Sequence, residues 1–242
     1  MRLLALDTAT PATTVALALD DENLLTRRHE PGAGERPGHV SELLPLALEL
    51  LEEAGIGFDR LDRIAVGIGP GTFTGLRIGV ATARALAHAH GLPLVGVSTL
   101  RSLAAGAAAA GADAAPAVLA VLDARRGEAF AAAWPGAQAA DPAAEPLLAP
   151  AALAPDALAA AAAALPAGAM AVGDGAVKFR GVLEAAGVAV PADDSVAHRV
   201  EAAVHARLAA GMEPTAPDAV LPAYLRLPDA ELALRARQAP AS

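Results

Sequence analysis

The sequence has no cysteine, a single lysine at position 178 and only 2% aromatic residues. Without thiols there are no disulfides, no thiolate metal sites and no thiol catalysis, a composition that suits a cytoplasmic protein. A formal net charge of -9 leaves no evident basic face for gripping a phosphate backbone unaided. The shortage of aromatics argues against stacking platforms for single-stranded nucleic acid. Long apolar runs are missing too. "MRLLALDTAT" reaches Asp7 too soon for a signal peptide. The most apolar later window, 157–173, is mostly alanine and is broken by Pro166 and Gly168, which reads as a helix followed by a strand rather than a membrane span.

What the chain does have is 55% hydrophobic and 19% charged residues over 242 positions, enough for a globular core in one large domain or two small ones. Arg2 to Leu6, Thr13 to Leu19 and Leu24 to His29 are short apolar runs separated by turn residues, so the chain opens on antiparallel strands. A helix follows from about Ser41 to Ala54. Its apolar residues Leu43, Leu44, Leu46, Ala47, Leu48, Leu50, Leu51 and Ala54 cover an arc of roughly 200°, wider than one core needs. Either a second surface packs on it, or it is sandwiched inside its own domain. Pro45 is acceptable if it falls in the first turn.

A strand over Arg63 to Ile68, a helix from Thr72 or Thr74 to about His90 and a strand over Pro93 to Val97 come next. Beyond Ser98 the pattern repeats. An Ala-rich helix to about Ala110, strands near Ala117 to Leu122 and Glu128 to Trp134, a Pro/Ala segment from Pro135 to Pro155, a strand over Met170 to Val172, a helix over Ala176 to Ala186 and a last helix from about Val196 to Ala210 complete it. The repetition predicts two related α/β lobes. Residues 1–100 make the first and 101–195 the second, the 196–210 helix packs back onto the first, and 228–242 is a flexible tail with little to bury.

The most distinctive stretch is "GIGPGTFTGLRIGVATARALAHAHG", from Gly67 to Gly91. It lacks the lysine and the glycine spacing of a Walker A loop, and it lacks the dinucleotide fingerprint. Bare amides at the helix start could still meet an anion. Gly71, Gly75, Gly79, Ala83 and Ala87 recur every fourth residue, which makes one helical face almost free of side chain. Glycine inside a helix costs roughly 1 kcal/mol relative to alanine, so close packing should compensate, against a partner helix or inside the same lobe. If a partner fills it, Gly79→Arg abolishes pairing and leaves the lobe folded.

The six histidines show no H-E-x-x-H pattern. His198 and His205 could share a helical face but have no carboxylate ligand between them, and they read as surface or interface residues. "LDARRGEAF" puts Asp123, Arg125, Arg126 and Glu128 between two strands, as a salt-bridged turn or as a place to hold metal and anionic oxygens. There is no G-x-S-x-G elbow and no evident Ser/His/Asp order.

The segments "MRLLALDTATPATTVAL", "HVSELLPLALELL", "GIGPGTFTGLRIGVATARALAHAHGLPLVGVSTL", "VLDARRGEAF", "VGDGAVKF" and "PDAVLPAYLR" occur in that order across nearly the whole chain. Together they closely resemble the TsaB (YeaZ) family, a dimerization subunit of the machinery that makes N6-threonylcarbamoyladenosine (t6A) at position 37 of tRNAs. The resemblance implies a two-lobed actin-like, Hsp70-like ATPase (ASKHA) fold, each lobe a mixed sheet flanked by helices. Asp7-Thr8-Ala9-Thr10 then lies where nucleotide-binding relatives have a glycine-bearing phosphate hairpin, and here the glycine is missing. The catalytic sister family, TsaD, carries a His-x-x-x-His metal pair at a place where this sequence has Thr99 and Leu103, so no metal site is expected.

The same resemblance implies a non-catalytic partner subunit that binds a TsaD-like transferase through the first two helices, with a TsaE-like ATPase joining the pair. Leu43, Leu46, Leu50, Gly75, Gly79 and Ala83 are the expected interface residues. Homodimerization when alone, tRNA contact only through the complex, no cofactor on this chain alone, and ATP or ADP with a metal ion in the partner complex complete the expectation. The alternative is an actin-like ATP-dependent kinase or ATPase using Asp7, Asp123 and Asp174 around magnesium and ATP.

Overall fold

In the computed structural model, which describes residues 1–20, 22–32 and 34–226, the opening runs pair as strands. β1 (Leu3–Asp7) and β2 (Thr13–Ala18) are antiparallel, and β3 (Leu24–His29) extends the meander. β4 (Arg63–Gly69) and β5 (Leu94–Ser98) add in parallel, giving the order β3-β2-β1-β4-β5. Every residue of β1 is buried because both faces of the sheet are covered. Leu4 and Leu6 point to one apolar layer, and Leu3 and Ala5 to the other. A strand covered on both faces reads as a continuous apolar run rather than an alternation.

The second sheet is built from β6 (Ala117–Arg125), β7 (Glu128–Pro135), β8 (Leu148–Leu153) and β9 (Met170–Val172), in the order β8-β7-β6-β9. Two antiparallel pairings followed by one parallel pairing repeat the arrangement of β3-β2-β1-β4. Among the described residues, a lone parallel bridge from Met170 to Ala189 is all that corresponds to a fifth strand. β8 lies inside the Pro/Ala segment from Pro135 to Pro155. Its Pro150 is tolerated because an edge strand has one unpaired side.

Helices and sheets alternate in layers. α1 (His39–Glu53) and α2 (Phe73–His90) cover one face of the first sheet, and α7 (Ala202–Ala210) covers the other. α3 (Thr99–Ala109) touches α7 and packs on β6 and β7, so these two helices form the middle layer between the lobes. α4 (Pro155–Ala163), α5 (Asp174–Lys178) and α6 (Arg180–Ala185) close the far face of the second sheet. The 196–210 helix is in fact a 3-10 turn at Val196–His198 followed by α7, which packs on the first sheet. The helix expected over 176–186 is two short helices, and Phe179 between them buries its ring in the cluster that holds Leu158 and Leu183.

α1 begins at His39, so Pro45 sits in the second turn rather than the first and removes one helical hydrogen bond. Burial compensates. Leu43, Leu46, Leu50 and Leu51 all enter the core, each contributing about 1.5–3 kcal/mol. Among the described residues no helix is long and apolar enough to cross a membrane. The tail expected to be flexible, 228–242, lies outside the described residues.

Candidate functional site

The glycine block folds inward. Thr8 Oγ1 donates to the Gly75 carbonyl at 2.7 Å, and the Thr72 N–H donates to the Ala9 carbonyl at 2.8 Å. The start of α2 is thereby fastened to the turn after β1. A Cβ on Gly71 would collide with the Ala9 carbonyl, one on Gly75 with the Thr8 carbonyl, and one on Gly79 with Thr8 Oγ1. Ala83 and Ala87 continue the same face into the core under the sheet.

This corrects the interface residues expected from sequence. Gly75, Gly79 and Ala83 face the lobe's own hairpin and core, and Leu43, Leu46 and Leu50 are buried against the lobe's own sheet. A Gly79→Arg change would strike Thr8 and break the lobe itself. The exposed apolar residues of α1 are the intervening Val40, Leu44 and Leu48, at 81%, 42% and 48% exposure. Spaced four apart, they form one stripe. On α2, Ala81, Ala85 and Ala89 are the exposed small residues.

Asp7 ends β1 and is sealed in the middle layer. Its Oδ1 accepts the Ala9 N–H at 3.0 Å, and its Oδ2 lies 3.1 Å from His205 Nε2. His205 Nδ1 faces Ser102 Oγ at 2.8 Å and the Glu201 carbonyl at 3.2 Å. All three side chains are buried, so His205, expected at the surface or an interface, lies inside the fold. This is a Ser/His/Asp arrangement with no path to a substrate, and it ties β1, α3 and α7 together. Gly67 is part of it, because a Cβ there would land on the Asp7 carboxylate and 2.8 Å from His205 Nε2. No local signal in the sequence points to it, since its members are about one hundred residues apart.

Asp123 and Asp174 lie elsewhere. Asp123 Oδ1 accepts from Lys178 Nζ at 2.7 Å and from the Arg125 N–H at 2.8 Å, while Asp174 Oδ1 accepts the Asp123 N–H at 3.1 Å. Asp174 is open to solvent on one side, yet desolvation of its carboxyl lifts its pKa above the ordinary value. The Asp123 charge adds to this and the Asp123 N–H opposes it. Asp123 lines a cleft with the start of α2, and Asp174 lines a different one with Thr10, Ala12 and His198. The structure therefore does not gather Asp7, Asp123 and Asp174 around one magnesium–nucleotide position. Thr99 and Leu103 are buried, and among the described residues no group of three or more His, Asp or Glu could hold a metal ion.

Two lobes of repeated topology, with helices on both faces of each sheet, define a protein of the two-lobed actin-like ATPase fold. EutJ, an ethanolamine utilization protein of Carboxydothermus hydrogenoformans, has this fold in common at a TM-score of 0.50 and 13% identity, covering 86% of this chain and 90% of that one. YeaZ from Pseudomonas aeruginosa is similar at a TM-score of 0.75 and 30% identity, covering 92% of this chain and 100% of that one. The family model for TsaD, tRNA N6-adenosine threonylcarbamoyltransferase, matches residues 35–233. The tRNA threonylcarbamoyladenosine biosynthesis protein TsaB of Escherichia coli (strain K12) is 41% identical over 130 residues, 54% of this chain and 53% of that protein. The chain spans about half the length of the curated relatives it matches. It belongs to the TsaD-related group of proteins and, within that group, to the TsaB (YeaZ) family.

Proposed function

We propose that this chain is a non-catalytic partner subunit for a TsaD-like threonylcarbamoyltransferase, acting in the cytoplasm in the formation of N6-threonylcarbamoyladenosine on tRNA. The observation that carries this reading is the filled hairpin. Where an actin-like relative would leave a phosphate cradle open between its first turn and the glycine block, Thr8 and Ala9 bond directly to α2, and Asp7 is taken up by His205. These bonds occupy groups of the turn and of Asp7 that would otherwise face a phosphate, which supports leaving catalysis to the partner.

In this reading the outer stripe of α1, Val40, Leu44 and Leu48, with Ala81, Ala85 and Ala89 of α2, receives two helices of the partner. Small residues on one helix beside branched ones on the other let helix backbones approach closely. A second copy of the chain takes the same face when the transferase is absent, and a TsaE-like ATPase joins the assembled pair. ATP or ADP and a metal ion belong to that assembly rather than to this chain. The test is tRNA modification reconstituted from threonylcarbamoyl-adenylate and the cognate TsaD-like subunit, with and without this chain. Modification that requires the chain, with none from the chain alone, is the expected result. Modification by the chain alone, or modification indifferent to it, would overturn the reading.

A further inference from the structure

The cleft beside Asp123 has a volume of about 650 Å³ and runs between the start of α2, the β6–β7 hairpin tip and the segment around Tyr224. In a chain with a net charge of -9 it is lined by four arginines, Arg77, Arg125, Arg126 and Arg226. The chain has four Phe, one Trp and one Tyr, and three of these side chains, Phe73, Phe130 and Tyr224, line the same cleft. Four of the chain's 18 basic residues and three of its six aromatic residues converge here. From this we infer that the cleft binds a single-stranded segment of RNA, holding its phosphates with the arginines and stacking a base at the Phe73–Tyr224 pair.

The geometry suits that ligand. Phe73 and Tyr224 sit with ring centroids 5.3 Å apart, both partly exposed. The Arg77 guanidinium lies 3.9 Å over the Phe73 ring, and its Nε–H donates to Tyr224 Oη at 3.3 Å. A base entering here meets aromatic and guanidinium planes, the combination by which unpaired nucleotides are held. Across the cleft, Arg125 and Arg126 adopt φ of +63° and +53°, followed by Gly127 at +80°. Tight hairpins with positive φ favour Asn or Asp before Gly, because other side chains are strained there. Two arginines in that conformation point to a use for their side chains. Arg226 is paired with Glu128 at 2.8 Å and the Arg125 guanidinium with Asp123 at 3.4 Å, so the cationic wall is held in place rather than collapsed onto the cleft.

The volume accommodates about one or two nucleotides. A free nucleoside triphosphate travels with a divalent cation, and Asp123, the one carboxylate in the cleft lining, is already paired with Lys178 and Arg125. A phosphodiester needs no such cation. Guanidinium forks match phosphate oxygens, and the acidic remainder of the surface confines RNA to this place. The inference rests on the proposed role in tRNA modification and adds to it a direct contact between RNA and this chain.

The test uses the full chain and a fluorescently labelled short RNA hairpin with an unpaired loop, titrated by anisotropy over a salt series. The chain binds, and Arg125→Asn with Arg126→Asn lowers the slope of log affinity against log salt by roughly 1.4, at about 0.7 per lost phosphate contact. Asn tolerates positive φ, so this variant loses charge without losing the turn. Arg125→Lys with Arg126→Lys keeps the slope, and Tyr224→Ala weakens binding about fivefold or more. No RNA binding at low salt, a slope unmoved by the Asn pair, or ADP competing as well as the RNA would each overturn the inference. In the reconstituted modification assay, a requirement for the wild-type chain reports on the proposed role, and the KM for RNA with the Asn pair reports on the cleft. A chain that is required, but whose Asn pair leaves KM unchanged, removes only the cleft.

Discussion

Adding one methyl group at Gly75 separates a glycine face packed inside the lobe from one reserved for a partner. Helix propensity favours Gly→Ala by about 1 kcal/mol. Against it, the new Cβ would strike the Thr8 carbonyl, a backbone atom in a buried turn that has little freedom to retreat. Overpacking of that kind costs about 1–3 kcal/mol, and loss of the 2.7 Å bond from Thr8 Oγ1 to the Gly75 carbonyl adds about 0.5–1.5 kcal/mol. The net effect is a destabilisation of about 2 kcal/mol, or a fall in Tm of roughly 4–8 °C for a chain of this size. Gly181 in α6 provides the contrast, since a Cβ there meets nothing within 4 Å. Gly181→Ala gains up to about 1 kcal/mol and raises Tm. Calorimetry of the two variants at one fixed protein concentration reads both signs. If Gly75→Ala raised Tm as Gly181→Ala does, the glycine face would not be packed on Thr8 and the reasoning would fail.

Three further outcomes are expected. Leu44→Asp combined with Leu48→Asp abolishes association with a TsaD-like subunit in light scattering and shifts Tm little, because both side chains are exposed; Leu50→Asp in the core unfolds the lobe instead. Asp7→Asn disturbs the sealed contact with His205 and lowers stability by about 1–3 kcal/mol in urea unfolding, leaving nucleotide affinity unaltered; an unchanged midpoint would sink this view of Asp7. His39 is buried at the start of α1 with Nδ1 2.8 Å from Thr13 Oγ1, and burial, with His29 adding to it and Asp7 opposing it, lowers its pKa below 6.5. Its folded form therefore binds fewer protons than its unfolded form as pH falls through 6.5, so its contribution to stability is present above that pH and is lost toward the lower folded value. His39→Gln flattens this part of the stability–pH curve, and an unchanged slope would count against the burial argument.

The first lobe was legible from residues because its signals are local. "LLALD" between turn residues is a strand wherever both faces are covered, and "LVGVS" after a glycine-ended helix is another. The parts that were misread depended on neighbours. β8 contains Pro150 and half-exposed alanines, and only its place at the sheet edge makes it a strand. Phe179 divides a helix because of a ring that must be buried, which no propensity records. His205 had no partner in view until α7 folded back over β1 and brought it to Asp7 and Ser102.

The sequence by itself determined the two-lobed α/β repeat, the family, and the presence on α1 and α2 of more apolar and small surface than an ordinary core requires. Periodicity and ordered motifs carry that information because they are properties of a chain read along its length. Only the tertiary structure decided which side of each helix faces the sheet, and so exchanged Leu43, Leu46 and Leu50 for Val40, Leu44 and Leu48 as the open face. It alone showed that the glycines serve Thr8 and Ala9, and that four arginines and three aromatic rings from distant segments share one cleft. An arc of apolar residues wider than 180° has no preferred inside until a sheet is laid against it, and distant charges have no common field until the chain closes around them.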